Sequence, residues 1–195
     1  MTRVLLTAFE PYDRWTDNAS WSALVDLTNW YDGPAELTTR RYPVELTGMS
    51  EKLREDLHQG FDLAIHLGQS PGSTQVKLEA VGLNLRSDGT ALIDQAPEAY
   101  RCPLSLEPIA RSLTDAGIPA KVSHHAGTYL CNAALYLSQH YAQAFGMPTK
   151  SLFVHLPLTP AQAAKDGQGL ASMSPQMSAA AVAMTVAALT RYPVV

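Results

Sequence analysis

Apolar residues recur along this chain in two rhythms. Some form short unbroken runs, and others form longer stretches with the three-to-four spacing of a buried helix face. Residues 3–8 are the first unbroken run and predict a buried strand. A turn-rich stretch over 9–18 separates it from a helix over 20–30, with Trp21, Leu24, Val25 and Leu27 or Thr28 near one face. Residues 37–44 read as a strand, and 47–59 as a helix turning Met49, Leu53 and Leu57 inward until Gly60 stops it. A second buried strand is predicted over 61–67, closed by Gly68.

The period then changes. Val76, Leu78, Ala80, Gly82 and Leu83 are strand-like, and 86–97 is a polar, turn-rich excursion. A helix over 105–116 ends at Gly117, followed by a strand over 120–124, a helix over 129–145 and a strand over 152–156. Ser174-Pro175 sets a cap and a first-turn proline for an alanine-rich helix reaching about residue 191. Strands alternating with helices of this length predict an α/β fold, with helices on both faces of a largely parallel sheet. Ligands of such sheets bind beyond the carboxyl ends of the strands, so the loops after Ala8, Gly68 and His155 and the turn before Cys131 are expected to meet there.

Composition narrows the field. A chain of 195 residues suits one catalytic domain spanning 1–195, and 46% hydrophobic against 16% charged residues excludes a disordered or fibrous chain. A formal net charge of −4 argues against nucleic acid or an anionic membrane as partner. No apolar segment reaches spanning length, and Met1-Thr-Arg-Val-Leu-Leu runs into the first strand without signal-peptide architecture. Two distant cysteines fit a reducing compartment, so a cytoplasmic location is expected.

Of those cysteines, Cys131 stands where a turn becomes a helix, in Gly127-Thr-Tyr-Leu-Cys-Asn-Ala-Ala-Leu135. Unpaired N–H groups and the positive end of the helix dipole converge at such a position. They favour thiolate, the species that attacks carbonyls. His155 ends the apolar run from Ser151 and is a candidate to shuttle the sulfur's proton. Each residue alone also fits a buried structural role. Cys102 lacks a helix start and a matching base, and reads as structural. Glu79 is an isolated acid in a strand-like run; such residues are usually exposed, but a Cys-His pair needs an orienting carboxylate.

Two further patterns are weaker. Gly68-Gln-Ser-Pro-Gly72 matches a serine nucleophile elbow, but Pro71 has no N–H for the oxyanion hole and no helix pattern follows. The glycines and proline fit better a backbone bent close to a ligand. His124, His125 and Cys131 lie close in sequence, yet adjacent strand residues face opposite ways and no further ligand stands at metal-site spacing.

The motifs together resemble the pyroglutamyl-peptidase I family of cysteine peptidases. Thr7-Ala-Phe9-Glu-Pro-Tyr12 with Asn18-Ala-Ser-Trp21 is similar to the family's opening segment, and His66-Leu-Gly68-Gln69 to its "VGQ" turn. Leu78-Glu79-Ala-Val81 with Asn84 resembles its glutamate segment, Ala126-Gly-Thr-Tyr-Leu-Cys131-Asn132 its "AGTFVCN", and Phe153-Val-His155-Leu-Pro157 its "FIHVP". The order is the family's throughout. The resemblance implies a three-layer α/β/α sandwich on a mixed, largely parallel sheet, with no metal and no organic cofactor. It implies removal of an N-terminal pyroglutamyl residue from peptides, with Cys131 as nucleophile, His155 as acid and base, and Glu79 as its partner. It implies a lactam pocket of Phe9, Tyr12, Asn18, Gln69, Tyr129 and Leu130, and it leaves homo-oligomerisation open. Ala8 and Asp13-Arg14 replace glycines usual in the family, Tyr12 stands where phenylalanine is common, and Arg86 aligns poorly with a family arginine. A cysteine amidase or esterase for another small acyl group, or a silent lactam-binding homologue, are the rival readings.

Overall fold

A computed structural model describes residues 1–191. Its main sheet has six strands in the order β2-β1-β3-β8-β4-β7, built from Glu36–Tyr42, Arg3–Phe9, Leu63–Gln69, Lys150–Leu156, Val76–Glu79 and Ala120–Ser123. Pairings β1–β2, β1–β3, β3–β8 and β4–β7 are parallel, while β4 runs antiparallel to β8. The sheet is therefore mixed and mostly parallel, flanked by helices on both faces. Among the described residues no helix is long and apolar enough to cross a membrane.

Strand alternation divides the core. Val4, Leu6, Ile65, Leu152, Val154 and Leu78 face α1 (Ala19–Thr28), α3 (Leu106–Asp115) and α6 (Pro175–Arg191). Leu5, Ala64 and Phe153 face α2 (Leu46–Leu57) and α4 (Leu130–Ala144). The central strand β3 is buried along its whole length, which is why its sequence is a continuous apolar run rather than an alternating one.

The strand-like run after residue 75 is two strands. β4 joins the main sheet, and β5 (Val81–Leu83) leaves it to pair with β6 (Ala99–Arg101). Gly82 presses on the α4 backbone, where a Cβ would lie 2.8 Å from the Tyr136 nitrogen. Asn132 of α4 fastens this departure. Its Oδ1 accepts from the Leu83 N–H at 2.8 Å, and its Nδ2 donates to the carbonyls of Leu83 and Leu85 at 2.9 and 3.0 Å. A buried amide thus completes a strand edge that has no neighbour there.

Two elements lay outside the expectation from sequence. β6 is only three residues long, too short for a periodic signal. The helix α5 (Pro160–Asp166) is one of few residues and little apolar character, yet it carries a full capping box between Thr159 and Gln162. That Thr-Pro-Ala-Gln signature was the available clue. Gly68 also does not close its strand, which runs on through Gln69.

Candidate active site

Cys131 lies in the first turn of α4. The residue before the helix, Tyr129, is extended and supplies no side-chain cap, so among the described residues no cap takes up the first N–H groups of the helix beside the sulfur. Gly127, with φ 82°, makes the turn into it. The sulfur rests against β3 because residue 68 is glycine. A Cβ there would stand 3.0 Å from Sγ and 2.7 Å from Cζ of Phe153. Gly68 therefore serves close approach of a side chain, whereas the sequence suggested a bend.

His155 lies near the carboxyl end of β8 and is 8% exposed. Its Nδ1 is 2.8 Å from Oε1 of Glu79, whose carboxylate is fully buried. An isolated strand acid is usually exposed, and the sheet explains why this one is buried. Antiparallel register sets Lys77 opposite His155 and Glu79 opposite Phe153, so all four side chains share the face toward α4. A carboxylate on that face is covered by helix, and only a partner of opposite charge makes its burial tolerable.

The charges answer one another. Burial alone would lower His155, but the charge and side chain of Cys131, followed by the hydrogen bond and charge of Glu79, raise it to about 9. Burial alone would raise Glu79, but His155, the Ser123 side chain and Lys77 hold it below the usual carboxylate range. The three side chains form one coupled unit. Buried His66, in contrast, bonds Thr7 Oγ1 through Nδ1 at 2.8 Å and is pushed down to about 3 by burial, so it stays neutral.

Beside the sulfur opens a small pocket lined by Phe9, Tyr12, Asn18, Val44, Gly68, Gln69, Tyr129, Leu130 and Cys131. All six residues expected to form the pocket are there, and Val44 and Gly68 join them. The lining contains no Asp, Glu, Lys, Arg or His. Phe9 is held by edge and tilted contacts with Tyr42 and Phe153. Asn18 is turned away to other work: its Oδ1 accepts from Ser20 N–H as the cap of α1, and its Nδ2 donates to the Glu10 carbonyl at 3.0 Å. Tyr129 stands on the rim, 53% exposed. Burial raises the Tyr12 phenol, against a lowering by the neighbouring Gln69 amide.

The other candidates lie apart from this centre. Cys102 is buried, donates toward the Ser151 carbonyl at 3.3 Å and is pushed up to about 11. Ser70 is tied to Lys77 Nζ at 3.1 Å, and no helix follows it. His124 and His125 are exposed, and among the described residues no group of three or more His, Cys, Asp or Glu is arranged to hold a metal. Arg86 pairs with Asp88 at 3.5 Å on the surface.

Known proteins share this fold and much of this sequence. A family profile described as pyroglutamyl peptidase matches residues 2–192. The pyrrolidone-carboxylate peptidase of Thermococcus onnurineus is 36% identical over 173 residues, covering 83% of this chain and 86% of that protein. The one from Pyrococcus furiosus is 34% identical, covering 82% and 83%. The crystal structure of pyrrolidone carboxyl peptidase from Fervidobacterium islandicum superposes with a TM-score of 0.91 at 34% identity, over 98% of this chain and 99% of that one. The Thermococcus litoralis enzyme gives 0.89 at 29%, over 98% and 94%. With the family profile matched nearly from end to end and the overall fold superposed, this chain belongs to the pyroglutamyl peptidase family of cysteine peptidases.

Proposed function

We propose that the protein hydrolyses the bond after an N-terminal pyroglutamyl residue of peptides, with Cys131 as nucleophile. The observation that carries this reading is an uncharged pocket opening directly onto a Cys-His-Glu unit. An ordinary peptide N-terminus is an ammonium ion and requires a carboxylate or several carbonyls to meet it. Pyroglutamate has closed its amine into a neutral lactam, which suits flat apolar walls and a few fixed polar groups.

In this reading Phe9, Tyr12, Tyr129 and Leu130 enclose the ring, and Gln69 meets its polar edge. Binding holds the exocyclic carbonyl beside Cys131, so attack becomes intramolecular. The thiolate adds to the carbonyl carbon, and the open N–H groups of the first α4 turn receive the oxyanion. His155 gives its proton to the leaving amine as the C–N bond breaks, leaving a thioester. It then takes a proton from water, which hydrolyses the thioester and frees pyroglutamate. Glu79 fixes the imidazole tautomer and stabilises its cation.

The test is hydrolysis of a pyroglutamyl 7-amido-4-methylcoumarin by purified protein, beside prolyl and acetyl analogues and the Cys131→Ala variant. Turnover of the pyroglutamyl compound alone, lost in the variant, is expected. Preference for the acetyl analogue would move the protein to the general amidases, and full activity of Cys131→Ala would remove the nucleophile.

A further inference from the structure

The Gln69 side-chain amide lines the pocket but is hydrogen-bonded to residues outside it. Gln69 Oε1 accepts from the Ala19 backbone N–H at 2.9 Å. A backbone N–H can only donate, so the atom facing it must be the amide oxygen. The same logic fixes Gln162: the Thr159 N–H donates to its Oε1 at 2.9 Å, so its Nε2 faces the other way. That Nε2 donates to Gln69 Oε1 at 2.9 Å and to the Asp17 carbonyl at 3.0 Å. With both lone-pair directions of Gln69 Oε1 engaged, its Nε2 is buried beside the pocket, near enough to the Tyr12 phenol to influence it but without a well-formed hydrogen bond.

We infer that Gln162 is a positioning residue for pyroglutamyl recognition: by donating to Gln69 Oε1 it holds the Gln69 amide so that N–H, rather than carbonyl oxygen, faces the lactam. The inference rests on the functional reading above and extends it to the ring's carbonyl, the acceptor that such a donor would satisfy. It also assigns work to α5, whose sequence carries no core-forming pattern. Gln162 is 4% exposed, and from α5 further contacts reach the pocket loop, with Arg14 paired to Asp166 at 3.0 Å and Lys165 Nζ 3.4 Å from Thr16 Oγ1. Helix α5 thus braces the loop that bears Tyr12 and Asn18 while orienting the amide on β3.

Gln162→Glu separates this role from helix capping. A carboxylate at that position still accepts from the Thr159 N–H, so the capping box survives. It cannot donate to Gln69 Oε1 or to the Asp17 carbonyl, and it draws the Gln69 N–H groups toward itself. Full-length wild type and Q162E should be compared for kcat and KM on the coumarin substrate, and for Cys131 alkylation by iodoacetamide without substrate. We expect KM to rise about tenfold or more, the effect of one lost or reversed hydrogen bond, with kcat and the alkylation rate within about twofold of wild type. An unchanged KM overturns the inference, as does a fall in alkylation matching the loss of kcat/KM, which would mark general damage to the site. Should Q162E fail to fold, Q162M removes the donor without adding charge and is judged by the same criteria. If wild type itself leaves the substrate intact, the functional reading falls and this inference falls with it. An active wild type with an equally competent Q162E refutes the Gln162 role alone.

Discussion

His155 Nδ1 and Glu79 Oε1 lie 2.8 Å apart across the antiparallel β4–β8 junction of the main sheet. Reversal at that junction matters because it brings the residue after Leu78 level with Phe153, two positions below His155 on the same face. The carboxylate thereby engages Nδ1, while the same imidazole also feels the Cys131 side chain.

Glu79→Gln should keep the fold and lose most of the activity. The amide matches the carboxylate in shape and can still bond His155, but it cannot stabilise the imidazolium and permits the wrong tautomer. A fall in kcat of about 10²–10⁴-fold is expected, by analogy with other nucleophile–histidine–carboxylate sites. Steady-state kinetics with circular dichroism as a folding control checks it.

The protonation of His155 should depend on Cys131. Burial opposes the imidazolium, and the Cys131 charge is the first influence that raises the group to about 9 from its ordinary value near 6.5. Cys131→Ala should therefore lower the His155 midpoint, followed through its Cε1–H signal by NMR. A midpoint that stays near 9 in the variant would refute the coupling.

Stability follows the same sign. A group raised on folding binds its proton more tightly in the folded state, so its stabilisation is whole below about 6.5 and fades as pH climbs through about 9. Urea denaturation of wild type should lose stability over that interval, and Cys131→Ala should lose less.

Gly68→Ala should damage activity more than stability. The added methyl meets the Phe153 ring at 2.7 Å and Sγ of Cys131 at 3.0 Å, so one or both must move. Overpacking of this kind costs about 1–3 kcal/mol, visible as a lower Tm. Displacement of the sulfur from its carbonyl target should cut kcat/KM by on the order of 10²-fold.

Iodoacetamide should label Cys131 far faster than Cys102 in the folded protein. Cys102 is buried and raised to about 11 by that burial, whereas Cys131 is partly exposed at the mouth of the pocket. Peptide mass spectrometry after brief labelling distinguishes the two, and equal labelling in denaturant provides the control.

Much of this molecule was legible in one dimension. Continuous apolar runs at Val4–Leu6 and Leu152–Val154 mark strands covered on both faces, and the helix pattern ending in Gly117 marks α3, because periodicity records burial locally. Cys131 could be placed at a helix start from its own neighbours, and the pocket residues from a resemblance spread over the chain. What local pattern does not carry is direction and distance between strands. Nothing near Glu79 announces that β4 runs against β8, so an acid that periodicity leaves exposed becomes a buried partner of His155. The same holds for Gln162, separated from Gln69 by 93 positions and joined to it at 2.9 Å. Sequence alone determined which segments bury apolar surface and which residue types are present for chemistry. Tertiary structure alone decided which polar atoms face one another, because hydrogen bonds are made at a few ångströms in space and leave no period along the chain.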